Sequence, residues 1–160
     1  MERLNRLLKH ELFQDCMKRI GQAEQDRIYC RHDRKHSLDV ARIAYILNME
    51  EQTGFDKEFI YAMALLHDLG RSEEYEQGRS HHEAGAELAA QILPECGFTP
   101  EETKRICTAI AAHKNAGDEG ADSCVRLLYR ADKLSRDCYD CLATETCYWK
   151  EECRNYKVLY

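Results

Sequence analysis

Apolar residues in this chain recur at intervals of three and four, and no segment sustains a two-residue alternation; the pattern predicts helices and no sheet. From about residue 3 to 26, Leu4, Leu7, Leu8, Leu12 and Met17 mark one amphipathic helix, in which His10 is expected to face solvent. In the next helix Val40, Ile43 and Leu47 lie at +4, +7 and +11 from His36, so His36 opens a buried stripe. Gln52-Thr-Gly54-Phe-Asp56 reads as a loop, with Asp56 capping a helix whose apolar face runs Ile60, Met63, His67 before Gly70 stops it. The polar stretch Arg71 to Ser80 reads as a further loop. Gly85, Leu88 and Ile92 then stand at +4, +7 and +11 from His81, repeating the pattern after His36, and Pro94 and Gly97 close that segment. Thr99-Pro100-Glu101-Glu102 is a capping box with proline at the first helical position. From it Thr103, Ile106, Ile110 and His113 share a face. Asn115 to Gly120 reads as a turn, and Val125, Leu128 and Asp132 mark the buried side of the last regular helix.

The predicted fold is therefore an all-α bundle of about six to seven helices. Composition narrows it further. At 160 residues and 44% hydrophobic content, the chain can build one core and is too short for two ordinary domains. A formal net charge of −6 opposes a protein that coats a polyanion, so no nucleic-acid polymer is expected as partner. No apolar run approaches a membrane span, and Met1-Glu-Arg-Leu-Asn-Arg lacks the apolar core of a signal peptide, so a cytoplasmic protein without a membrane partner is expected. In that compartment nine cysteines read as thiols or metal ligands rather than disulfides.

Helical phase alone turns His36, His67, His81, His113 and Asp132 inward on five helices, with Asp68 beside His67. A single inward histidine is commonly a hydrogen-bonded core residue. Five such positions, each at the edge of an apolar stripe, point to one shared metal centre, because a buried carboxylate such as Asp132 needs a cation. His32 lies four residues before His36 in a charged run and reads as a surface or supporting residue. His82 is rotated off the stripe that His81 begins.

The order His36 (in His-Ser-Leu-Asp-Val-Ala-Arg), His67-Asp68 (in Leu-Leu-His-Asp-Leu-Gly) and Asp132 (in Tyr-Arg-Ala-Asp-Lys) resembles the HD superfamily of metal-dependent phosphohydrolases. The additional His81 and His113 match its two-metal members, and the compact dinucleoside polyphosphate hydrolases are similar in size and ligand set. The Gly-Tyr-Pro motif of the cyclic-dinucleotide phosphodiesterases is absent, and Lys114 stands where those enzymes carry a second histidine. The resemblance implies a single HD domain over residues 1–160, with a cysteine-rich extension from about 137 to 160. It implies one metal on His36, His67, Asp68 and Asp132 and a second on His81 and His113, with Asp68 bridging. One or two divalent ions (iron, manganese, cobalt, nickel or zinc) are expected, with His67 and Asp68 central to catalysis by a metal-activated hydroxide. Arg71 and Lys114, which follow the His-Asp pair and His113, are expected to meet phosphate oxygens of a small, nucleotide-like substrate. The superfamily also contains mixed-valent di-iron oxygenases with the same ligand types, which are the alternative. A homodimer is compatible with the pattern. Cys138, Cys141, Cys147 and Cys153 have the number of ligands for an additional zinc or iron–sulfur site; the competing reading is four reduced thiols packed in a terminal helix.

Overall fold

The architecture was obtained as a computed structural model, which describes residues 1–113 and 121–160. Among the described residues eight α-helices follow one another: α1 (Glu2–Lys9), α2 (Glu11–Ala23), α3 (Arg34–Glu51), α4 (Lys57–Leu66), α5 (Arg71–Gln77), α6 (His81–Glu95), α7 (Pro100–Ala112) and α8 (Ser123–Leu134). Three single-turn 3₁₀ helices, Cys138–Asp140, Thr144–Thr146 and Glu151–Cys153, complete the chain. The expected all-α bundle is what forms, and among the described residues there is no strand.

The bundle is arranged around α4. Phe59, Ile60 and every residue from Ala62 to Leu66 are buried, so this helix is apolar on all sides rather than along one stripe, as a helix enclosed by others must be. α3 and α7 flank it, α8 packs on α3, and α6 packs on α7. The caps foreseen from sequence are present. Asp56 accepts from the amides of Glu58 and Phe59 at the start of α4, and Thr99 with Glu102 forms a complete capping box on α7. Asp33 caps α3 by accepting from the His36 amide at 2.9 Å, which fixes His36 in the first turn.

Two expected segments are built differently. The helix expected over residues 3–26 divides at His10, whose ψ of 129° is extended. Carried onward, the Leu4–Leu7 register would bury Glu11, Gln14 and Lys18; the break re-phases the chain so that Phe13, Cys16, Met17 and Ile20 face the core instead. At the break His10 is half-buried rather than solvent-facing, with Nε2 3.1 Å from Glu95. The expected loop after Gly70 contains α5. Only Ser72 of this helix is buried, so no apolar stripe announces it. Glu73 and Glu74 in its first turn and Gly78 in the left-handed region at its end (φ 70°) are its local signals. The expected turn at Asn115–Gly120 lies outside the described residues.

The His67–Gly70 turn and the start of α6 meet with almost no space between them. A Cβ placed on Gly70 would lie 2.1 Å from the His81 carbonyl oxygen and 2.4 Å from the Gly85 nitrogen. Only glycine permits that approach. It brings His81 against the His-Asp pair.

Candidate metal centre

Two sets of ligand atoms converge between the helices. His36, His67 and Asp132 each place one ligand atom within 4.8 Å of the others', and so do His81, His82 and His113. The first set comes from the start of α3, the end of α4 and the last turns of α8; the second comes from the first two residues of α6 and the end of α7. Asp68 stands between them. Its Oδ2 is 2.9 Å from His67 Nε2 and 3.6 Å from His36 Nε2, and its Oδ1 is 4.0 Å from His81 Nε2. His36 Nε2 is also 3.5 Å from Asp132 Oδ1.

The buried imidazoles leave nitrogens free for a cation. His67 is fully buried, and its Nδ1 is spent on the Ala64 carbonyl at 2.7 Å, which orients the ring. Its Nε2 and that of His36 are buried without a hydrogen-bond partner. The His67–Asp68 pair is close enough for such a bond but not aligned as one. Buried polar atoms are nearly always satisfied, so two orphaned imidazole nitrogens aimed at two carboxylates fit a metal ion. His113 repeats the arrangement, with Nδ1 2.6 Å from the Ile110 carbonyl.

Electrostatics separates the two sets. Burial alone would depress the His67 imidazole, but the adjacent Asp68 and Asp132 carboxylates carry it up to about 9. Burial would raise both carboxyls, yet His67 and Arg71 hold Asp68 well below its ordinary range, and His67 and Lys133 lower Asp132. In the second set burial wins. It lowers His81, helped by the Arg71 charge, and takes His113 down to about 3, helped by His67. Two ionised carboxylates thus stand at the first set, while burial holds His81 and His113 of the second neutral.

Both sets open into a cavity of about 360 Å³. Arg27, Arg71, Lys133 and Arg136 bring positive charge to its wall, and Tyr129, Tyr148 and Trp149 bring aromatic surface. Arg71 Nε donates to Asp68 Oδ1 at 2.8 Å and Nη1 to Glu74 at 3.1 Å; Lys133 Nζ donates to Asp132 Oδ2 at 2.6 Å. Arg136 lies over the Trp149 ring, 3.8 Å from its centroid, with Lys133 at 5.3 Å. A larger groove of about 730 Å³ runs along α2 beside Asp33 and Arg34, but neither ligand set opens into it.

The structure therefore brings together His36, His67, Asp68, His81, His113 and Asp132, and places Arg71 at their edge. Lys114 lies outside the described residues. His82 joins His81 and His113, its Nδ1 3.3 Å from that of His113. It stands in the first turn of α6, where the interior stripe does not yet dictate direction. His32 is a supporting residue: its amide donates to Glu24 at 2.8 Å and its ring contacts the same carboxylate. Sequence reasoning missed Arg27, Lys133, Arg136, Tyr148 and Trp149. Only Lys133, next to Asp132, carried a local signal.

Comparison with known proteins agrees with this geometry. The HD domain family matches residues 34–137, the span from the start of α3 to just beyond α8. A protein of Clostridium beijerinckii described only as uncharacterized is 41% identical over the full length of both chains. Ribonuclease Y of Enterococcus faecalis is 35% identical over 127 residues, which are 79% of this chain but 22% of that protein. Among solved structures, a predicted HD superfamily hydrolase from an uncultured Thermotogales bacterium matches with a TM-score of 0.63 and 26% identity, over 88% of this chain and 80% of that one. With the family's match covering most of the chain and the His, His-Asp and Asp side chains gathered around one cavity, the chain belongs to the HD domain family.

Proposed function

We propose that this protein is a metal-dependent phosphohydrolase acting on a phosphoester or phosphoanhydride of a small nucleotide. The observation that carries the reading is one cavity holding orphaned imidazole nitrogens, a buried and a half-buried carboxylate, four cationic side chains and three aromatic rings. His36, His67, Asp68 and Asp132 would hold one divalent ion; His81 and His113, with His82 at hand and Asp68 shared, would hold a second. When bound, such ions lower the pKa of water and neutralise charge on phosphate oxygens. The rest falls to the chain. The Ala64 carbonyl keeps the His67 Nδ1 proton and turns Nε2 toward the centre. Arg71, tied to Asp68 and Glu74, is set to receive a phosphate oxygen without reorganisation. Lys133 and Arg136, held against Trp149, present further positive charge, and the aromatic wall suits a nucleobase. A cavity of about 360 Å³ is at the small end of ligand sites and fits a mononucleotide-sized group.

The hydrolase name of the Thermotogales structure supports the reaction class, and no helix among the described residues is long and apolar enough to cross a membrane. The similarity to ribonuclease Y favours a second reading, cleavage of an RNA phosphodiester. The two separate in one assay. Metal-depleted protein is given manganese, iron or cobalt and offered mononucleotides, dinucleoside polyphosphates, an aryl phosphate and short RNAs. Hydrolysis of one or more of the small substrates, to free phosphate or to nucleotide products and abolished by a chelator, is the expected outcome. Cleavage of RNA alone would transfer the reading to the polymer; no hydrolysis of any of these, with oxygen consumed on an organic phosphonate or polyol, would transfer it to the oxygenases.

A further inference from the structure

The segment after α8 is held by different means from the rest of the chain. From Asp137 to Tyr160 no residue is fully buried, and none of its three 3₁₀ turns has a side-chain cap. Apolar burial therefore does little to hold it. It is nevertheless tied into one arrangement. Arg154 donates to the carbonyls of Thr144, Cys147 and Trp149 at 2.8–3.0 Å. Tyr29 donates to the Thr146 carbonyl at 3.1 Å, and Asn155 to those of Lys133 and Arg136 at 2.8 and 2.9 Å. Beneath these bonds is a cavity of about 10 Å³, lined by Cys30, Cys138, Cys141 and Cys147 together with Asp137, Thr144 and Arg154. Cys30 comes from the loop before α3, more than a hundred residues away in sequence.

This arrangement is neither a terminal helix packed with thiols nor the quartet suggested by sequence. Cys153 is exposed and outside the cavity, and Cys30 takes the fourth place. Cys138 and Cys141 are separated by two residues across a tight turn, the spacing at which two sulfurs can reach one ion. The charge balance also suits thiolates. Four of them around a divalent ion leave an excess of two negative charges. The Arg154 side chain lines the cavity, and the Arg136 charge opposes the upward pull of burial on the Cys30 thiol. The sulfurs stand further apart than the ligand atoms of the two histidine sets, since no three of them lie mutually within 4.8 Å. Closure around an ion requires rotation about their Cα–Cβ bonds.

We propose that Cys30, Cys138, Cys141 and Cys147 bind one thiophilic divalent ion of the zinc class, which clips the C-terminal segment to the loop before α3. Each coordinated sulfur gives up its thiol proton, and no oxidant or reductant is involved. Cys30 lines both cavities, so the clip adjoins the histidine centre and secures the segment that carries Tyr148 and Trp149 to the wall of the large cavity.

Cobalt distinguishes this site from the histidine centre, because only thiolate ligands give an intense sulfur-to-metal charge-transfer absorption. Reduced full-length protein titrated with cobalt should develop that band with the intensity of one thiolate-bound ion per chain, whatever the histidine centre also takes up, and zinc should bleach it. Cys153→Ser should leave the band intact; Cys30→Ser and Cys141→Ser should weaken or abolish it. Should those variants fail to fold, native alkylation of the unsubstituted protein decides the matter. Zinc should protect Cys30, Cys138, Cys141 and Cys147 while Cys153 reacts. Absence of the band, its survival in Cys30→Ser, its loss in Cys153→Ser, or equal alkylation of all five thiols with zinc present would each overturn the proposal.

Discussion

The two histidine sets are neighbours, with the His67 and His113 rings only 5.5 Å apart, yet they differ in charge. Around His36 and His67 two carboxylates are held ionised by the groups they face, and the imidazole of His67 is pushed up to about 9. Among the described residues, the carboxylates near His81 and His113 are Asp68, shared with the other set, and Glu74, which is bonded to His81 Nδ1 at 2.8 Å. A divalent ion in the first set would have its charge cancelled by two carboxylates; one in the second would meet the His81 and His113 rings, which burial holds neutral. The number of ligands is thus a poor guide to affinity when two sets differ in formal charge. The charged set should bind first and hold more tightly.

The contrast between the sets breaks most completely at Gly70. Gly70→Ala forces the His-Asp turn away from α6, so both sets should lose their geometry together. Overpacking against backbone predicts a loss of about 3 kcal/mol or more. Thermal melting and metal content measured together check this; an unchanged midpoint with both ions retained would contradict the close approach. Next in size are the ligands. Asp132→Asn should empty the charged set, and Asp68→Asn should disturb both. Each should lower metal affinity and turnover by more than the roughly 10- to 100-fold typical of losing an outer partner. His81→Ala should remove about one ion and spare the fold, with His82→Ala weaker in the same direction. Metal analysis of the four variants tests the order, and equal loss of both ions from His81→Ala would erase the distinction between the sets.

Glu24 offers a smaller test, outside the ligands themselves. Burial would raise its carboxyl, but bonds from His32 and Tyr75 hold it down at about 2 from an ordinary 4.5. A carboxyl depressed on folding contributes stability above its unfolded value, and that stability is lost as pH falls through the folded value. Wild type should therefore lose roughly 2 kcal/mol relative to Glu24→Gln as acid is added from pH 4.5 to about 2, read from denaturant midpoints. A constant difference across that window would remove Glu24 from the account. The smallest effect is expected at Trp149. Removing a ring that contacts two cations should raise KM a few-fold and leave kcat nearly unchanged, as steady-state kinetics of Trp149→Ala would report. An equal fall in kcat would place Trp149 closer to the chemistry.

Much of this molecule can be read along the chain, because helical phase is a local property. The stripes after His36 and His81, the cap at Asp56 and the capping box at Thr99 depend on residues within a few turns of one another. The same phase turns His36, His67, His81, His113 and Asp132 inward. What the sequence did not reveal depends on distance through space. The break at His10 follows from the core rejecting Glu11, Gln14 and Lys18, and α5 is a helix that buries almost nothing of its own. The contact of Gly70 with His81 and Gly85, the entry of His82 into the second set, the cations gathered against Trp149 and the meeting of Cys30 with Cys138 each join residues that no periodicity relates. The sequence by itself determined which side chains turn inward, because burial repeats with the helical turn. Tertiary structure alone decided which of them share a charge, a wall or an ion, because electrostatics and coordination act across a few ångströms of space whatever the separation along the chain.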